Sequence, residues 1–127
     1  MFVLALLVSI YQPPAECIAV DGDTLRCTEM GRVRLLGIDA PELPGHCRKG
    51  RSCAPGNPDK SKAHLAKLVE RGVVISPVTR DRYGRTVAQV YVGEKNVACE
   101  QVRKGLAIYK PQWDNGRRLA KECSAAR

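Results

Sequence analysis

Apolar and polar positions alternate in short runs through the first third of the chain. Residues 17–20 ("CIAV") and 24–28 ("TLRCT") read as two strands joined through "DGD", because Asp-Gly tolerates the positive φ that hairpin turns need. After another glycine turn, residues 31–38 ("GRVRLLGI") read as a third strand. The period then changes. In "NPDKSKAHLAKLVERG", Asn57 suits an N-cap, Pro58 the first helical position, Asp59 the dipole and Gly72 the stop. Leu65, Leu68 and Val69 form its apolar stripe. Strand character returns at 73–79 ("VVISPVT") and 85–92 ("RTVAQVYV"), around the turn "RDRYG". "NVACEQVRKG" predicts a short helix from Asn96 to a stop at Gly105. Residues 114–125 predict a last helix with Leu119 and Cys123 facing inward.

Three antiparallel strands, a helix, a hairpin and further helices define an α+β class. The order is compatible with a five-stranded OB-type β-barrel carrying three helices. Residues 40–57 stand outside this scheme as a long loop rich in proline and glycine, containing Cys47 and Cys53. A loop of that length inside a compact domain is functional or stapled. At 127 residues the chain suits one core, and no repeat or low-complexity tract divides residues 16–127. Ahead of them, Phe2 to Ile10 is an apolar run interrupted only by Ser9. It is long enough for the apolar part of an export signal and far too short to span a membrane. A basic flank and a small-x-small cleavage site are both missing. Residues 1–15 therefore read as an export remnant or, alternatively, an N-terminal strand or docked arm.

Charge and cysteines narrow the function class. Lys and Arg outnumber Asp and Glu by 21 to 13, a formal charge of +8, which favours a polyanionic partner or simply solubility. Six cysteines in a short chain favour disulfides and an oxidising compartment, hence a secreted or periplasmic, cell-envelope location. The competing zinc reading lacks the short C-x₂₋₄-C knuckle. Cys47–Cys53 would staple the long loop and Cys99–Cys123 would tie the last two helices. Cys17–Cys27 requires a three-residue turn, since a two-residue turn would set Cys17 opposite Arg26.

The chemistry gathers at strand ends. Asp21 and Asp23 flank Gly22 in the first turn, and Asp39 and Glu42 follow the third strand. Several hard oxygens with few histidines suit Ca²⁺ or Mg²⁺, although each pair alone is also ordinary turn chemistry. Pro41 holds Ala40 extended, so its carbonyl can serve as another ligand. Arg34 lies in an apolar strand, where a cation is costly unless paired or used. Arg85 is delivered to the sheet edge by "DRYG". Guanidinium forks match phosphate oxygens, and a hard-metal site with a spare carboxylate completes a set of groups suited to phosphodiester hydrolysis. Tyr109 and Trp113, interleaved with Lys110, form a candidate base-stacking edge, the alternative being core packing.

"VDGDT", "RLLGIDAPE", "DRYGR" and "VRKGLA" together resemble the staphylococcal nuclease (thermonuclease) family in order and spacing, over residues 16 to 110. The resemblance implies a secreted, calcium-dependent nuclease on an OB barrel; a monomer is the expected form. It would cleave DNA and RNA with little sequence preference and leave 3′-phosphate ends. By motif, Asp23, Asp39 and the Ala40 carbonyl would hold Ca²⁺, and Glu42 would be the general base or position the water. Arg34 and Arg85 would grip the scissile phosphate, with Arg82, Tyr83 and Tyr109 near the nucleotide. The family often has threonine at the position of Ala40, which a carbonyl ligand does not need. The Cys47/Cys53 loop and the cysteine-bearing tail are foreign to its best-known member. A noncatalytic OB module binding single-stranded nucleic acid is the alternative, but it leaves Glu42 unexplained.

Strand parity adds a geometric requirement. Arg34 shares a face with Leu36 and Ile38, whereas Asp39 has the opposite parity. If both serve one site, the strand must bend between them, and Gly37 is the natural place.

Overall fold

The computed structural model describes residue 3 and residues 13–127. Most of the apolar run at 2–10 lies outside the described residues, as does the question of whether residues 1–15 are an export remnant.

Strands β1 (Cys17–Ala19), β2 (Thr24–Cys27) and β3 (Gly31–Leu35) form an antiparallel meander. After α1 (Pro58–Val69), the chain returns as the hairpin β5 (Val74–Arg80) and β6 (Thr86–Val92). Strand β6 lies parallel to β3, with Val33 opposite Thr86, so the main sheet runs β1-β2-β3-β6-β5. The short β7 (Lys95–Asn96) pairs with β6 and leads into α2 (Val97–Arg103). A two-stranded sheet of β4 (Ile38–Asp39) and β8 (Ile108–Tyr109) stands beside it. The expected five-strand path is present, but the barrel is not closed. Its edges meet in one bridge, where the Ala15 and Val73 amides each donate to the other's carbonyl at 2.8 and 2.9 Å.

Local chemistry explains most of these boundaries. Asn57 caps α1 by accepting from the Lys60 amide at 3.0 Å, and Asn96 caps α2 through the Cys99 amide at 3.1 Å. Pro77 cannot donate to a ladder, and the β5–β6 register shifts between Pro77 and Thr79, leaving Val78 as a bulge. Leu25, Val33, Leu35, Ile38, Leu65, Val69, Val90, Val97 and Leu119 fill the core between sheet and helices. Leu68 is only partly buried against it.

The chain breaks where strand parity requires. Strand β3 ends at Leu35, Gly37 adopts φ 80°, and β4 begins at Ile38. The first turn contains three residues, Asp21 to Asp23, which sets Cys17 opposite Cys27. All three expected disulfides are present: Cys17–Cys27, Cys47–Cys53 and Cys99–Cys123.

The tail departs from expectation. Instead of one helix over 114–125, Pro111–Trp113 and Asn115–Arg117 form single 3₁₀ turns before a short α3 (Arg118–Glu122). Gly116 at φ 68° and Arg117 at φ 55° interrupt any continuous helix. The buried Asp114 carboxylate caps α3, accepting from the Leu119 and Ala120 amides at 2.9 and 3.0 Å. Leu119 and Cys123 still face inward, fully buried.

Candidate active site

The acids are set by close packing under the β1–β2 turn. Asp21 Oδ1 accepts from the Asp23 amide at 3.1 Å, folding the turn on itself. The Gly22 carbonyl accepts from Gln101 Nε2 at 2.8 Å, and the same amide donates to the Ser61 carbonyl at 2.9 Å. Gly22 is required by proximity: a Cβ there would lie 1.8 Å from Ser61 Oγ and 2.8 Å from Ala40 Cβ. Helices α1 and α2 thus clamp the acid turn from below.

Asp23 is the hub of the site. Its Oδ2 accepts from the Ala40 amide at 2.8 Å, and its Oδ1 accepts from Thr24 Oγ1 at 2.9 Å. Arg34 Nη1 stands 2.7 Å from Asp23 Oδ2 but makes no well-directed hydrogen bond, so charge holds that contact. Arg34 Nη2 donates to the Ile38 carbonyl at 3.1 Å and lies 3.9 Å from Asp39 Oδ1. The Gly37 bend therefore folds β4 back over the guanidinium of β3. This resolves the cost of a cation in an apolar strand.

Electrostatics sort the three aspartates. Burial and the neighbouring Asp23 push Asp21 up to about 7. Burial also works against Asp23, yet the Arg34 charge and the hydrogen bonds from its neighbours hold it below the usual carboxylate range. Asp39 is raised, first by burial and then by Asp23, with Arg51 and Arg34 opposing. Burial and like charge thus oppose ionisation of Asp21 and Asp39, while Arg34 keeps Asp23 charged.

The second half of the site is built locally. The Asp81 carboxylate accepts from the Tyr83 and Arg85 amides at 2.9 and 3.0 Å and from Arg85 Nε at 2.7 Å. Against the cost of burial, these bonds and the Arg85 charge hold Asp81 below its ordinary range. One carboxylate shapes the β5–β6 turn and aims Arg85. Tyr83 is exposed, and the guanidiniums of Arg82, Arg85 and Arg48 lie 5.0, 5.4 and 5.7 Å from its ring centre. A hydrogen bond from Arg82, with the Arg48 charge, lowers the Tyr83 phenol.

A single open cleft of about 1050 Å³ is lined by Asp21, Asp23, Arg34, Glu42, Arg82, Tyr83 and Arg85. Asp39 and Ala40, between the lining residues Ile38 and Glu42, are buried and do not themselves line it. Tyr109 is placed differently: its hydroxyl donates to Asp114 Oδ2 at 2.6 Å, beneath the tail and away from the cleft lining. Trp113 does line the cleft, 5.4 Å from the Arg34 guanidinium and 5.2 Å from Lys110 Nζ.

Sequence reasoning missed two groups. Asp81 could have been found from its Asx-type spacing to Tyr83, and it orients Arg85. Arg51 reaches back from the stapled loop to Glu42 Oε1 at 2.8 Å and to Asp39 Oδ1 at 3.3 Å. Its only sequence signal was its place between Cys47 and Cys53.

The α+β, OB-like fold thus converges arginines and carboxylates on one open cleft. The profile described as Staphylococcal nuclease homologue matches residues 32–127, and the chain belongs to that family. An uncharacterized endonuclease of Haemophilus influenzae is 41% identical over 100 residues, covering 75% of this chain and 51% of the relative. The SPbeta prophage-derived endonuclease YokF of Bacillus subtilis is 39% identical over 105 residues, covering 73% of this chain and 34% of that protein. Endonuclease YncB of the same species is 36% identical over 105 residues, covering 73% and 47%. The chain spans about half or less of the length of these relatives.

Proposed function

We propose that this chain is a nuclease that hydrolyses DNA and RNA phosphodiesters with little sequence preference, depends on Ca²⁺ and leaves 3′-phosphate ends. The observation that carries the reading is the buried Arg34 guanidinium. It is fixed between Asp23 and the Ile38 carbonyl, and faces the same cleft as Glu42 and Arg85.

The donor set fits a hard divalent ion. Asp23, Asp39 and the Ala40 carbonyl would hold it, with Asp21 adjacent. Among the described residues, no three His, Cys, Asp or Glu side chains form a compact metal group. Water would therefore complete the shell, as Ca²⁺ accepts. When bound, the ion supplies positive charge to the phosphate oxygens. Glu42 takes a proton from the attacking water, while Arg34 and Arg85 neutralise charge building on the equatorial oxygens. The bond from phosphorus to the 5′ oxygen breaks, that oxygen takes a proton from solvent and leaves as a 5′-hydroxyl, and the phosphate stays on the 3′ side. Tyr83 and Arg82, at the cleft mouth, support the neighbouring nucleotide. Three disulfides support an exported, envelope or extracellular setting, and we take the working unit to be a monomer.

Incubation with single-stranded DNA in Ca²⁺, in Mg²⁺ and in excess chelator tests the reading. Cleavage is expected in Ca²⁺ and should stop with chelator. Glu42→Gln should slow it by roughly 10²–10⁴-fold while sparing binding. Binding without cleavage in Ca²⁺ would instead support the noncatalytic single-strand-binding module.

A further inference from the structure

We propose that Arg51 sets the metal affinity of the site, because its guanidinium, held by Glu42, competes with a divalent cation for Asp39. The inference rests on the metal-dependent reading above and concerns a residue that the site motifs do not contain.

Arg51 occupies the Asp39 oxygens that a cation would take and is steadied there by Glu42. Nη1 lies 2.8 Å from Glu42 Oε1, and Nη2 lies 3.3 and 3.4 Å from the two Asp39 oxygens. One planar fork therefore covers both carboxylates at once. A dication and a guanidinium on the same oxygens repel, so each weakens the other's binding by the same factor. Arg34 also approaches Asp39, but Asp23 and the Ile38 carbonyl anchor it deep in the fold. Arg51 is the partner free to leave. Its side chain is 36% exposed, and both it and Glu42 line the cleft.

The loop supplies the tether. Cys47 and Cys53 close a short covalent ring around Arg51, and both sulfurs lie within 4 Å of the Arg51 carbonyl, at 3.6 and 3.9 Å. The Arg51 amide donates to the Arg48 carbonyl at 3.0 Å, which tightens the ring further. Arg48 of the same ring reaches across the cleft to the Tyr83 ring instead. The two arginines thus have separate targets, one on the acids and one on the opposite wall. A tethered guanidinium acts at high effective concentration, so even a weak exposed pair stays formed until a stronger cation displaces it.

Calorimetric titration of the full chain with CaCl₂ at fixed ionic strength tests this without reference to cleavage. Arg51→Ala should bind Ca²⁺ about fivefold more tightly, the scale expected for losing exposed ion pairs. Arg51→Lys should fall between, because an ammonium cannot span both carboxylates. Arg48→Ala, which removes the same charge from the same ring, should stay within about twofold of the parent protein. Cys47→Ser with Cys53→Ser should move the affinity toward the Arg51→Ala value by releasing the tether. Equal or weaker binding by Arg51→Ala overturns the proposal. So does an equal gain in Arg48→Ala, which would reduce the effect to general charge repulsion. Absence of Ca²⁺ binding in every protein, including the parent, overturns it by removing the metal site itself.

Discussion

Replacing Arg34 with alanine is expected to destabilise the protein by an amount that grows with pH. The Arg34 and Asp23 side chains are 12% and 8% exposed, so the change leaves a buried carboxylate without its cation. Breaking such a pair costs about 3–5 kcal/mol. In the intact protein Asp23 sits below its ordinary range, because the Arg34 charge and local hydrogen bonds overcome burial. A carboxylate lowered in the folded state stabilises above its unfolded value, and that contribution disappears as pH falls through the folded value. Without Arg34, burial dominates and the folded value rises above 3.8, the ordinary aspartate value. The sign then reverses: the variant loses stability as pH rises from there. The gap should be small near about pH 3 and should reach about 3–5 kcal/mol by about pH 7. For a chain of this size that corresponds to roughly 10–20 °C in Tm. Asp21, pushed up to about 7 by burial and Asp23 with the Arg34 charge opposing, also costs stability as pH rises, and removing Arg34 adds to the difference in the same direction. Circular-dichroism melts in chelator across this range, with Arg34→Lys alongside, provide the assay. Lysine should restore most of the pH slope. A constant offset at every pH would refute the ion-pair argument and assign the loss to packing of the arginine stem near Trp113.

Gly37→Ala should lower stability by about 1–2 kcal/mol, since an L-residue must adopt a left-handed φ of 80°. Its Cβ would also sit 3.2 Å from Leu119 Cδ2 and 3.3 Å from Asp114 Cβ. Cleavage measured well below the lowered Tm should fall too, because this bend aims Asp39; unchanged cleavage would separate the bend from the site. Arg26 and Arg32 face each other across β2 and β3, and neither has an ion-pair partner among the described residues. Like charges directly opposite are destabilising, so the double alanine variant should gain up to about 1 kcal/mol in a thermal melt. If the sheet face carries substrate past the cleft, the slope of log affinity for single-stranded DNA against log salt should flatten by about 1.4, at about 0.7 per phosphate contact. An unchanged slope would take this face off the substrate path.

The legible parts of this protein were those governed by short-range rules. Helix α1 announced itself through Asn57 and Pro58, and the Gly37 bend followed from the parity of Arg34 and Asp39. The Cys17–Cys27 bridge was conditional on turn length, which the sequence left open and the Asp21–Asp23 turn decided. The tail was misread because Leu119 and Cys123 have helical spacing while Asp114, Gly116 and Arg117 spend those positions on a cap and two left-handed residues. The pairing of β4 with β8 was invisible, since a two-residue strand carries no periodicity. Tyr109 looked available for a nucleotide, yet the buried Asp114 claims its hydroxyl. Arg51 lay in a segment without any repeating pattern. The cysteines marked the loop as stapled but gave no direction for the side chains within it.

The two walls of the cleft draw on very different lengths of chain. The Arg85 wall is closed by Asp81 across four residues, whereas the acid turn waits for Gln101, whose bond to Gly22 spans 79 positions. Contacts of long span pay their loop-closure entropy before they return anything, so they form late. A chain caught part-way through folding is therefore expected to hold its Arg85 arm in place before its acid turn, with one wall of the cleft formed ahead of the other.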